Sequence, residues 1–159
     1  MLITNCKIIL VAIVAVFFTL VAFSNVTDYY TNFYFVQHIL SMDSVMADSK
    51  TTWRAITSEP LQHLFYGGIV AWEILSAIIC WIAAIRLFLA RQNPALFKQR
   101  KGLGVLGLTS GFSVYAFGFL TIAAEWFQMW QSEYNATAPA GVFLTMIGFV
   151  ILILLAPDE

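Results

Sequence analysis

Charged side chains are what this 159-residue chain has least of, at 11% against about 25% in an ordinary soluble domain. That deficit excludes a water-facing surface over most of the molecule. Cysteine is equally scarce. Cys6 and Cys80 are the only two and form no CxxC pair, which argues against a disulfide framework and a cysteine-based zinc site. Catalytic signatures are missing too: no P-loop, no GxSxG, no HExxH, no paired carboxylates on one apolar run and no Cys/His couple. The glycines between residues 102 and 118 follow no strand, so they make no dinucleotide fingerprint. There is no internal repeat or low-complexity tract, the net charge of −1 says nothing about partners, and no nucleic-acid partner is expected.

What the chain has is apolar length. It is 60% hydrophobic, with a mean hydropathy of +0.82. A spanning helix needs roughly 20 mostly apolar residues, and four runs supply them, at about 8–26, 61–87, 103–130 and 140–156. The fold expected is an all-α membrane protein, a four-transmembrane-helix bundle forming a single integral membrane domain over 1–159. The first run ends in Ala22-Phe23-Ser24, which resembles a secretory cleavage site. It is long for a signal core, and a retained helix is the expectation.

Arg86, Arg91, Lys98, Arg100 and Lys101, five of the eight cations, fall within sixteen residues from the end of the second run to the start of the third. By the positive-inside rule that connection is cytoplasmic, and both termini with it. The long segment from Asn25 to Glu59 then falls outside, in the periplasm of a bacterial cell. Its Phe33, Tyr34, Val36, Ile39 and Leu40 recur at helical spacing, so the loop is expected to be partly helical and interfacial. Tyr29, Tyr30, Tyr34 and Trp53, with Trp126, Phe127, Trp130 and Tyr134, read as an aromatic belt, with a lipid or quinone site as the alternative. Asn25 and Asn135 open N-x-T triplets that fit the glycosylation pattern.

The third run carries the most informative pattern. Gly104, Gly107, Gly111, Val114, Gly118, Thr121, Glu125, Gln128 and Ser132 fall on one stripe of an α-helix. The small residues predict close helix packing, and Glu125 is expected to point into the bundle. Antiparallel neighbours would put Glu125 level with His63, predicting a pair, with Arg54 as rival partner. Glu73 lies mid-span, where an acid costs roughly 2.5 to 3.5 kcal/mol. Tyr115 is at a similar depth and is the expected hydrogen-bond partner. Each polar group has two readings: a relay or ligand contact, or a staple between helices. Bis-histidine haem ligation would need both histidines in spans, and His38 lies in the connection. No cofactor is predicted, with haem or quinone as the residual alternatives.

Four segments carry a family resemblance: NVTDY at 25–29, FVQHILSMD at 35–43, WRAI at 53–56 and EWFQMWQS at 125–132. Together they resemble a bacterial family of predicted small integral membrane proteins, a domain of unknown function. The EWFQMWQS run is the most specific, and Ala123-Ala124 stands where glycines are expected before the glutamate. The resemblance implies four spans and a bacterial inner membrane, and brings no catalytic residue or cofactor. The functional expectation is a non-enzymatic accessory subunit of a larger membrane complex, its partners the lipid bilayer and other membrane subunits. The alternative is a small transporter or ligand- or lipid-binding protein using Glu73 and the His63/Glu125 cluster.

Overall fold

The computed structural model describes residues 1–158. Among them the chain is helical, without strands. In order it forms α1 (Leu2–Thr27), α2 (Tyr29–Ser41), a 3-10 turn (Thr52–Arg54), α3 (Glu59–Ala90), α4 (Pro94–Ser113) running straight into a π-helix (Val114–Trp126), a second 3-10 turn (Met129–Gln131), and α5 (Thr137–Leu155). Four helical stretches are long and apolar enough to cross a membrane: Leu2–Thr27, Glu59–Ala90, Pro94–Trp126 and Thr137–Leu155.

The spans outrun the apolar runs because their ends are capped by polar residues. Pro60 occupies the first turn of α3, where its missing N–H costs nothing. Asn93 caps α4, its side chain accepting from the Leu96 amide at 3.1 Å, with Pro94 next. The third span therefore begins nine residues before the expected 103, and Lys98, Arg100 and Lys101 project from helix rather than loop.

α3 lies between α1 and α4, and α5 packs against α4 and the π-helix. Val11, Val14, Ala15 and Phe18 of α1, Ala83 and Leu87 of α3, Leu108 of α4 and Ile147 of α5 form a core with essentially no exposure. α2 folds over one end of this bundle. The other end carries both termini and the α3–α4 connection, since Lys7, Lys101 and Asp158 are in contact there. These are called the loop end and the termini end.

The glycines explain how closely α4 is held. A methyl group at Gly104 would lie 2.9 Å from a Leu154 methyl. At Gly107 it would lie 2.9 Å from the Cys80 sulfur and 3.0 Å from the Cys80 amide nitrogen. At Gly111 it would run into the Phe18 ring. Hydrogen at these positions lets α4 touch α5, α3 and α1 in turn.

Candidate functional site

The predicted stripe holds from Gly104 to Val114 and then fails. Gly104, Gly107, Gly111 and Val114 are buried, Gly118 is half-buried, and Thr121 and Glu125 are exposed. The break falls where the helix changes type. In a π-helix each hydrogen bond closes over five residues rather than four. The Thr121 hydroxyl donates to the Ala116 carbonyl at 2.9 Å, and the Phe127 amide to the Ile122 carbonyl at 3.0 Å, both five-residue steps. Three turns of wider winding rotate Glu125 off the stripe that an α-helix would have kept. Glu125 therefore faces the surface, and the expected pairing with His63 does not form.

Gln128 also leaves the stripe. It adopts a left-handed conformation (φ 59°) that ends the helix, and its side-chain amide donates to the Glu125 carbonyl at 2.9 Å. Ser132 is buried against Ser44 of the long connection. Trp130 and Trp126 are about half exposed, and Trp53 is more so.

Glu73 does point into protein: it is 2% exposed. Its partner is Asn25 of α1, whose Nδ2 donates to Oε2 at 2.7 Å, and not Tyr115. The antiparallel register of α1 and α3 decides this. Trp81 donates to the Thr19 hydroxyl at 3.0 Å, so moving six residues up α1 and eight back along α3 sets Asn25 beside Glu73. The Asn25 carbonyl also accepts from the Tyr66 hydroxyl at 2.8 Å, so one α1 residue holds α3 at two levels. Asn25, read as a glycosylation position, is thereby a packing residue. Tyr115 sits in an aromatic cluster with Phe17, Phe18, Phe119 and Phe143.

His63 binds the loop, not Glu125. Its ring stacks on Phe33 of α2 at 3.9 Å, its Nδ1 meets the Tyr29 hydroxyl at 2.8 Å, and its Nε2 lies 3.7 Å from Glu59. His38 has a different set: Asp43 at 2.6 Å on Nδ1 and the Tyr134 ring stacked at 4.5 Å. The two histidines thus serve separate contacts.

Three polar features were invisible in the sequence. Gln62, 2% exposed, donates to the Ser41 hydroxyl at 2.9 Å and the Ile56 carbonyl at 2.7 Å, and accepts from Gln37 at 3.1 Å, fastening the connection to α3. Ser110 bonds Trp72 at 3.1 Å and Ser76 at 2.8 Å between α4 and α3. At the termini end, Lys7, 2% exposed, donates to the Ala156 and Pro157 carbonyls and to Asp158 at 2.5, 2.8 and 2.6 Å. Lys101 reaches the Asp158 carboxylate at 2.6 Å from the other side. Burial raises the Asp158 carboxyl pKa, but the hydrogen bonds from Lys101 and Lys7 outweigh it and hold the group below the usual carboxylate range.

Arg54 is held between two indoles. Its guanidinium carbon lies 4.5 Å from the Trp126 ring and 5.4 Å from the Trp53 ring, and Nη1 donates to the Trp126 carbonyl at 3.2 Å. Nε is buried without a partner.

Beside these groups, at the loop end, lies a cavity of about 500 Å³. Phe35, Val36, Ile39 and Leu40 of α2 roof it, Leu64, Phe65, Gly68, Ile69 and Trp72 of α3 form one wall, and Val114, Phe117, Gly118, Phe119, Ile122 and Ala123 of the π-helix form the other. Phe127 completes the lining. The lining is apolar throughout, since the one indole N–H, on Trp72, already donates to Ser110. A Cβ at Gly68 or Gly118 would meet nothing within 4 Å. Glu73 does not line the cavity.

The described residues hold no cluster of three metal-ligating side chains. No functionally curated protein and no solved structure shows a significant match to the chain. A family model does, over residues 3–157 and so almost the whole length: the chain belongs to the family described as predicted small integral membrane protein (DUF2165).

Proposed function

We propose that this protein is a non-enzymatic membrane protein that holds an apolar chain, the acyl chain of a membrane lipid, in the cavity between α2, α3 and the π-helix. The observation that carries this reading is a built apolar volume of about 500 Å³ along two membrane-spanning segments. A hydrocarbon chain needs no polar partner and the lining offers none, whereas a quinone head would need a donor there. The apolar segments imply that the bilayer is the source. The accessory-subunit reading leaned on the missing catalytic set, the near absence of soluble mass and the small-residue faces, and of the last Gly104, Gly107 and Gly111 are engaged within the chain. The transporter reading leaned on Glu73, which is bonded to Asn25 away from the cavity. The cation-rich termini end is read as cytoplasmic by the positive-inside rule and the loop end as periplasmic, in a bacterial inner membrane.

The test is native mass spectrometry of protein released from membranes in mild detergent. Wild type is expected to retain a phospholipid adduct, and the cavity-filling variants Gly118→Leu and Gly68→Leu to lose it. Absence of adduct, or equal retention by the filled variants, would overturn the reading. A stoichiometric protein partner in place of lipid would favour the accessory-subunit role.

A further inference from the structure

Arg54 does not itself line the cavity, but its guanidinium is bonded to the residue preceding Phe127, which does, and it has few partners among the described residues. Two tethers fix it there. The Ile56 amide donates to the Leu40 carbonyl at 2.7 Å, which ties the residues after Arg54 to the roof. Arg54 Nη1 donates to the carbonyl of Trp126, and Phe127, the next residue, lines the cavity. Arg54 is therefore tied, through Ile56 two residues on and through the Trp126 carbonyl, to the neighbourhood of two cavity-lining residues, Leu40 and Phe127.

No described residue neutralises its charge. A guanidinium carries five N–H donors, and a single one of them, on Nη1, has an acceptor among the described residues. No carboxylate there pairs with it; the ion pairs are made by Lys7, Lys101, His38 and His63. The Trp53 and Trp126 rings hold the group in place without taking up its hydrogen bonds. An arginine fixed in this way presents the planar fork that suits a phosphate oxygen pair.

We propose that Arg54 binds the phosphodiester of the lipid whose acyl chain fills the cavity, which makes the site selective for anionic phospholipid. This rests on the acyl-chain reading above. The occupant has an apolar chain below and one negative charge above, the order in which the protein offers an apolar volume and an unneutralised cation. Zwitterionic phospholipid carries the same phosphate but also a cationic amine that Arg54 repels, so charge complementarity favours a head group such as phosphatidylglycerol.

The experiment is lipid competition on the full-length protein. Delipidated protein is offered equal amounts of phosphatidylglycerol and phosphatidylcholine with identical acyl chains, and retained lipid is read by native mass spectrometry. Wild type is expected to prefer phosphatidylglycerol about tenfold, the size of one charge-assisted hydrogen bond. Arg54→Gln should retain as much total lipid but without preference, and Arg54→Lys should keep part of it. Gly118→Leu should lose both lipids. Wild-type retention without preference, or preference undiminished in Arg54→Gln, would overturn the head-group assignment and leave the acyl-chain reading standing. No retention of either lipid would overturn the acyl-chain reading itself.

Discussion

Between Gly104 and Gly111 the fourth helix lies flush against three neighbours; between Val114 and Trp126 the same continuous helix leaves a cavity. At the termini end, side chains from α1, α3 and α5 occupy the space that glycine leaves open. At the loop end, Gly68 and Gly118 both line the cavity, and a Cβ at either would meet nothing within 4 Å. One residue type thus has opposite roles in the two halves. A glycine against a backbone serves packing, and a glycine against a void preserves volume. The change of role coincides with the change from α to π winding, a helix type found frequently at functional sites.

This contrast can be broken in several ways. Gly111→Leu forces a side chain into the Phe18 ring and is expected to cost about 3 kcal/mol, the upper end for overpacking, read as a lowered melting temperature in detergent. Asp158→Asn leaves Lys7 and Lys101 without their counter-charge, and an expected loss of about 2 kcal/mol should appear in the same melt. Asn25→Leu strands the buried Glu73 carboxyl and should cost about 1–2 kcal/mol, with much of the loss recovered in the Asn25→Leu/Glu73→Leu double variant.

The termini end should also respond to acid. Because folding holds Asp158 ionised more strongly than the unfolded chain does, its contribution is complete above the ordinary value of 3.8. It is lost as pH falls through the lower folded value. A wild-type melt is expected to drop in that acid window and an Asp158→Asn melt to stay flatter. The smallest effect belongs to the loop end. Gly118→Leu should leave stability within about 0.5 kcal/mol of wild type, since its side chain enters empty space and the helix gains a better former.

Much of the termini end was legible in the sequence. Hydropathy marked four spans, and the three-and-four spacing of Gly104, Gly107 and Gly111 marked the face that packs. The loop end was not legible beyond α2, whose buried Phe33, Ile39 and Leu40 follow the helical spacing read from the sequence. The stripe argument assumed α winding throughout, and nothing in Val114–Trp126 announces a wider turn, so Glu125 was placed inward. Glu73 was expected to face protein and does, but a partner was sought at equal depth in the third span. It lies on α1, because pairing depends on which helices are neighbours. Asp158 and Lys7 are 151 residues apart, a contact that only the closed bundle makes. A cavity is an absence of side chains, and no motif encodes it.

The most direct test is one paired melt: Gly111→Leu and Gly118→Leu beside wild type, in one detergent, with and without added phosphatidylglycerol. The account predicts that Gly111→Leu melts lower yet still gains stability from lipid, as wild type does. Gly118→Leu should melt like wild type without lipid and gain nothing when it is added. A Gly118→Leu protein destabilised like Gly111→Leu, or stabilised by lipid as fully as wild type, would contradict it.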